Sequence, residues 1–158
     1  MKTNKTNSLK TGKERALFIL QHSAKTEFEM RSKLMAEDYE REIIDSIISF
    51  LKEYKYIDDF RYAEIYINGR SVKKSYKQIE FELIAKGIDR DIVREVICQF
   101  DSDQTETILS LLLKKKIIWQ EADEKSKQKS IASLMRKGFR YEQINLVIKG
   151  LEKLEIPR

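Results

Sequence analysis

Apolar residues recur at three- and four-residue spacing over most of the chain, and the pattern itself repeats. Three windows align: Leu34 to Ile48 (LMAEDYEREIIDSII), Leu83 to Ile97 (LIAKGIDRDIVREVI) and Leu134 to Ile148 (LMRKGFRYEQINLVI). In each, the leading leucine is followed five residues later by Tyr39, Ile88 or Phe139, and five further on by Ile44, Val93 or Ile144. Every window closes on isoleucine, and the windows stand 49 and then 51 residues apart. A period near 50 residues with helical patterning predicts tandem helical modules. Gly87 and Gly138 fall where the first helix of a window should stop, because glycine adopts the left-handed conformation of a helix end at least cost. Asp38 holds that position in the first window, and because aspartate tolerates the left-handed conformation less well, that turn is expected to be looser or differently shaped. The apolar residue that follows is expected to tuck under the turn, and Asp89 to cap the second helix of its pair.

A further helix precedes each pair. Ala16 to Leu20 is apolar, and Thr26 with Glu29 reads as a capping box opening the next helix. Asp58 and Asp59 stand before Phe60, Ala63 and Ile67, and Asp103 with Glu106 before a helix expected from Ile108 to Trp119. The reading is therefore all-α, with three tandem three-helix repeats over residues 14–57, 58–102 and 103–155. Residues 1–13, rich in Lys, Thr, Asn and Ser, are expected to form a flexible basic arm. Units this small bury little surface alone, so neighbouring units are expected to pack on one another or share helices.

Composition narrows the chemistry. The 158 residues include one His, one Cys, one Pro and five widely scattered Gly. A structural zinc site draws on several Cys and His, and a phosphate loop on clustered glycines; neither can be assembled here. GxSxG and HExxH are absent, and the carboxylates spread as on solvated helical faces, so no enzyme, cofactor or metal is expected. No stretch approaches the roughly 20 uncharged residues of a membrane span. With no secretory pattern and a single cysteine, a cytoplasmic protein is expected.

Charge is uneven. The net is +5 overall, made of +5 over residues 1–25, −3 over 26–57, −2 over 58–103 and +5 over 104–158. Arg70, Lys73, Lys74 and Lys77 lie in a stretch with no acid between Ile65 and Ile79, and Lys114, Lys115 and Lys116 form a second run. Such clusters suit a polyanion or an acidic protein face, though any one of them can also be a solvated surface. Arg70, Lys73, Lys74 and Lys77 share a face if one helix continues through them, and form a basic loop if it ends near Gly69. Cys98 reads as a small buried or half-buried side chain and His22 as a helix-end residue. Phe28, Tyr39, Phe81 and Phe139 read as core, whereas Trp119, Tyr54, Tyr62 and Tyr76 suit either core or surface anchoring.

The run YIDDFRYAEIYINGR (56–70), KQIEFELIAKGID (77–89), SLMRKGFRYEQI (133–144) and TEFEMRSKL (26–34) together resemble the hallmark segments of the RecX family, bacterial regulators of the RecA recombinase. The resemblance covers residues 14 to 151, with Asp38 and Ser75-Tyr76 standing where the family often has glycine. It implies a non-enzymatic monomer whose helical repeats take an elongated, curved arrangement. Such a protein would lodge in the groove of the RecA filament on single-stranded DNA and suppress its ATP hydrolysis, strand exchange and co-protease activity. Partner-binding residues are expected among Arg70, Lys73, Lys74, Lys77, Lys86, Arg90, Lys127, Lys129, Arg136, Lys137 and Arg140. The competing expectation is a direct DNA-binding helical module without a recombinase partner. Duplex reading is disfavoured, since Glu40, Glu42, Asp45 and Glu53, and Asp89, Asp91 and Glu95, put acid on the helices that would enter a groove. Weak direct contact with single strands is compatible with the basic ends.

Overall fold

In the computed structural model, residues 8–154 are described, and the described residues form nine α-helices and no strand. These are α1 (Leu9–His22), α2 (Glu27–Ala36), α3 (Arg41–Glu53), α4 (Asp59–Arg70), α5 (Tyr76–Ala85), α6 (Arg90–Ile97), α7 (Thr105–Lys114), α8 (Glu124–Arg136) and α9 (Tyr141–Lys153). They fall into three successive groups of three. Residues 1–7 of the expected arm lie outside the described residues, but residues 9–13 are helical. Ser8 accepts a hydrogen bond from the Thr11 N–H and starts α1 there. The serine cap overrides a composition that suggested a loose segment.

The chain divides into two compact units, one comprising residues up to Ile65 with Leu83–Arg94, the other Tyr66–Glu82 with Glu95 onward. In the first, Ala16, Ile19, Met30, Leu34, Ile44, Ile47, Ile48, Leu51 and Ile57 form a core, with Tyr39 and Phe50 packed against it. In the second, Ile108, Leu112, Trp119, Leu134, Phe139, Ile144 and Ile148 do so. Burying each such side chain contributes about 1.5–3 kcal/mol before ordering costs.

The turn predicted within each window is present three times with one hydrogen-bond scheme. Tyr39, Ile88 and Phe139 donate their N–H to the carbonyls of Leu34, Leu83 and Leu134, each at 3.2 Å. The residue before takes positive φ: Asp38 at 60°, Gly87 at 83° and Gly138 at 91°. This is the closure expected of a helix that stops on a left-handed residue.

Several assignments need correction. The third repeat's first helix stops at Lys114, not Trp119, and Lys116 turns left-handed with φ 54°. Three consecutive lysines give no apolar face on which to continue, and Trp119 instead closes the core beyond the turn. Its indole N–H is buried without a hydrogen-bond partner among the described residues. Cys98 is exposed, because it lies in the turn after Ile97 and not on the buried face of α6. Phe28 and Phe81 are 55% and 76% exposed; their helices turn Met30, Leu34, Ile79 and Leu83 inward in their place.

Candidate functional site: two matching junctions of opposite charge

Within the first unit, α2 begins against the turn that follows α5. The N-cap Thr26, fully buried, accepts the Glu29 N–H at 3.1 Å and donates its hydroxyl to the Lys86 carbonyl at 2.7 Å. The Glu29 carboxylate accepts the Thr26 N–H, completing the capping box, and pairs with the Lys86 ammonium at 3.0 Å. The hydrogen bond that Lys86 donates to Glu29 holds the lysine above its ordinary pKa, outweighing desolvation. Phe28 lies against Gly87 so closely that a Cβ there would stand 2.2 Å from the Cβ of Phe28.

Asp59, at the start of α4, accepts the Glu27 N–H at 2.9 Å and so satisfies another exposed donor of α2. Burial raises the Asp59 carboxyl, and the nearby Glu27 charge adds to this, against the lowering effect of that hydrogen bond. A carboxyl raised in the folded state binds its proton more tightly folded than unfolded. Its contribution to stability is therefore full at acid pH and declines as pH rises through the folded value. Asp59→Asn keeps the acceptor and removes the ionisable charge. Thermal melts are expected to show the variant above wild type at neutral pH, with the gap closing near the ordinary aspartate value of about 4.

The second unit repeats the junction with other residues. Ser75, fully buried, caps α5 by accepting the Gln78 N–H at 3.1 Å and donates its hydroxyl to the Lys137 carbonyl. The Tyr76 N–H is satisfied by Gln104 Oε1 at 3.1 Å, and Gln104 returns a hydrogen bond to the Lys74 carbonyl. Lys77 takes the place of Phe28 and lays its stem against Gly138.

The backbone device is the same, but the charge is not. At the first junction Ala85, Lys86, Asp89, Phe28 and Glu29 meet, a net charge of −1 with Lys86 neutralised. At the second, Arg136, Lys137, Arg140, Lys77 and Gln78 occupy the matching positions, a net charge of +4. Gln78 cannot neutralise Lys137 as Glu29 neutralises Lys86, and none of these four cations makes an ion pair among the described residues. Beside them runs a groove of about 730 Å³, with Tyr76, Phe100, Met135 and Phe139 on its walls and Lys77 and Arg140 at its edge. Tyr76 and Phe100 pack with ring centroids 6.4 Å apart. The result is a groove of mixed apolar and polar lining that includes Glu80, next to four cations, suited to an acidic macromolecular surface.

The other predicted residues are dispersed. α4 ends at Arg70, so Lys73 and Lys74 lie in the following turn and Lys77 in the first turn of α5; the stretch is a basic loop, not one helical face. Arg70 lies over the Tyr66 ring at 5.2 Å. Lys74 pairs with Glu82, which also accepts the Tyr66 hydroxyl at 2.7 Å. Burial pushes Glu82 up, but these hydrogen bonds outweigh it and hold the carboxyl below its ordinary range. Lys127 contacts Glu124 at 3.6 Å and lies 5.9 Å from the Trp119 ring. Lys74, Lys86 and Lys127 thus each have a carboxylate partner within the chain. Arg90 is exposed at the start of α6, and Lys129 is exposed on α8. Of the Tyr76–Phe100 wall, the sequence singled out Tyr76 as a core or surface anchor but not Phe100, and comparing the two junctions position by position marks Lys77 and Arg140 as changed residues.

No group of three or more His, Cys, Asp or Glu side chains among the described residues could hold a metal ion. No helix among them is long and apolar enough to cross a membrane. The fold and site define a helical-repeat chain whose distinctive surface feature is a basic junction. Sequence models of one family match all three groups of helices: "RecX, first three-helix domain" over residues 13–51, the second over 58–97 and the third over 101–148. The chain belongs to the RecX family. It is 35% identical over 145 residues to the Regulatory protein RecX of Clostridium acetobutylicum, covering 88% of this chain and 68% of that protein. Against the Regulatory protein RecX of Clostridium perfringens strain 13 it is 34% identical over 147 residues, covering 90% and 69%. The crystal structure of RecX from Lactobacillus salivarius superposes with a TM-score of 0.82 at 29% identity, covering 92% of this chain and 97% of that one.

Proposed function

We propose that this chain regulates a RecA recombinase by binding its filament on single-stranded DNA, and that the basic junction of Lys77, Arg136, Lys137 and Arg140 is the principal contact. The observation that carries the reading is the charge contrast between two junctions of one geometry. A structural junction needs only the cap hydroxyl, the glycine and a packed side chain, and the first junction supplies these while neutralising its lysine. The second has the same parts, with the Lys77 stem as the packed side chain, and adds charged heads that make no ion pair among the described residues. Membership of a family of regulatory proteins supports a binding role, and binding at this surface would restrain ATP hydrolysis and strand exchange without chemistry by this chain. A filament offers carboxylates and DNA phosphates together, and arginine and lysine pair with both.

Co-sedimentation tests the reading. The chain should pellet with RecA filaments assembled on single-stranded DNA and a non-hydrolysable ATP analogue. Pelleting that persists when RecA is omitted, with no gain when it is present, favours the direct DNA-binding module instead.

A further inference from the structure

A second surface, in the first unit, pairs exposed aromatic rings with lysines, and no role described above uses it. α3 ends at Glu53, and Lys55 takes the left-handed conformation at φ 55°. The Tyr56 and Ile57 N–H groups then both reach back to the Leu51 carbonyl, at 2.8 and 3.2 Å, and Ile57 enters the core. This closure folds Tyr56 back beside Tyr54 and Phe50. The ring centroids lie 5.0 Å apart for Phe50–Tyr54, 6.2 Å for Phe50–Tyr56 and 6.5 Å for Tyr54–Tyr56. Tyr54 is 61% and Tyr56 53% exposed, so both rings keep open area after packing on each other.

One lysine sits on this cluster and others lie near it along the chain. Lys13, from α1, places its ammonium 4.3 Å from the centre of the Phe50 ring. Lys55 stands between the two tyrosines in sequence, and Lys10 lies three residues before Lys13 on α1. Lys52 is engaged with Glu27 at 2.9 Å, and Glu53 is the acid of the last turn of α3.

We infer that Phe50, Tyr54 and Tyr56, with Lys13 and Lys55, form a binding site for single-stranded nucleic acid, in which bases stack on the tyrosine rings and phosphates meet the lysines. Aromatic faces accept any base, and lysines spaced around them follow a backbone. An apolar protein partner would be poorly matched, because it would have to desolvate Lys13 and Lys55 without a phosphate to compensate. Lys55 is exposed in the turn between the two tyrosines, at a left-handed position that glycine would hold at less cost. This inference deepens the proposed function, yet its test uses no recombinase, so the two can fail separately.

The experiment is fluorescence anisotropy of a labelled oligo-dT strand titrated with the full chain. Wild type is expected to bind, with affinity falling as salt rises. Tyr54→Ala/Tyr56→Ala should weaken binding at least about tenfold, within the range expected for losing one or two stacked bases. Tyr54→Phe/Tyr56→Phe, which keeps the rings, should bind within about twofold of wild type. Lys13→Ala should lower the salt slope by about 0.7, the value for one single-strand phosphate contact. Glu53→Gln should bind more tightly. Equal affinity of the alanine pair and wild type, with matching circular dichroism, overturns the assignment, as does a folded wild type that leaves the strand unbound. Tight binding of an apolar peptide that requires the tyrosines, with no strand binding, would identify a protein-docking surface instead.

Discussion

Gly87→Ala is expected to lower stability by about 2–5 kcal/mol, which for a chain of this length is a fall of roughly 5–15 °C in Tm. Two costs add. An alanine at φ 83° loses about 1–2 kcal/mol to left-handed strain. The new methyl would stand 2.2 Å from the Cβ of Phe28, an atom fixed close to the α2 backbone, and such overpacking typically costs 1–3 kcal/mol. Gly138→Ala should cost less, because the nearest atoms, Lys77 Cβ and Ser75 Oγ, lie at 2.9 Å. Asp38→Gly supplies the control. Asp38 already occupies the left-handed region at φ 60° and is exposed, so the change should fall within about 1 kcal/mol of wild type. Thermal and denaturant melts of the three variants check the order. Equal losses at Gly87 and Gly138 would show that the closer approach of Phe28 contributes nothing.

Reversing charge at the second junction, with Lys77→Glu, Lys137→Glu and Arg140→Glu together, should abolish regulation of the recombinase while leaving the fold intact. These residues are exposed and make no ion pair among the described residues, so their removal takes nothing from the core. Three reversals place three carboxylates opposite an acidic partner, and the loss of potency should exceed about a hundredfold if each interfacial contact contributes 1 kcal/mol or more. Lys86→Glu gives the opposite outcome. It sets a carboxylate beside Glu29 and removes the pair that closes the first junction, so it should reduce stability. Circular dichroism and inhibition measured on both variants separate the two roles.

Much of this fold could be read from the pattern of residues. The Thr26–Glu29 capping box and the glycine turns at Gly87 and Gly138 followed from residue type and spacing, because those are local events with strong stereochemical preferences, whereas the Asp38 turn, expected to be looser or differently shaped, closes with the same hydrogen bond. Burial was less legible where two faces of a helix are both partly apolar. Phe28 looks like core by spacing, yet Met30 and Leu34 take the interior and Phe28 covers Gly87. α7 illustrates another limit: its apolar pattern runs past Lys114, but the lysine triplet ends the helix. Of the basic residues proposed as a site, Lys74, Lys86 and Lys127 are held by carboxylates eight, 57 and three residues away. A pairing across 57 residues cannot be anticipated from local charge counts. The repeat register came nearest to revealing it, since it aligns Lys86 with Lys137 and Glu29 with Gln78.

The central claim is tested most directly by the steady-state ATPase of RecA, from the organism that encodes this chain, on saturating single-stranded DNA. This chain is titrated from far below to above stoichiometry, beside the Lys77/Lys137/Arg140 charge-reversed variant. The account predicts that wild type suppresses hydrolysis and that the folded variant does not. Undiminished hydrolysis at stoichiometric wild type, or equal suppression by the variant, would contradict it.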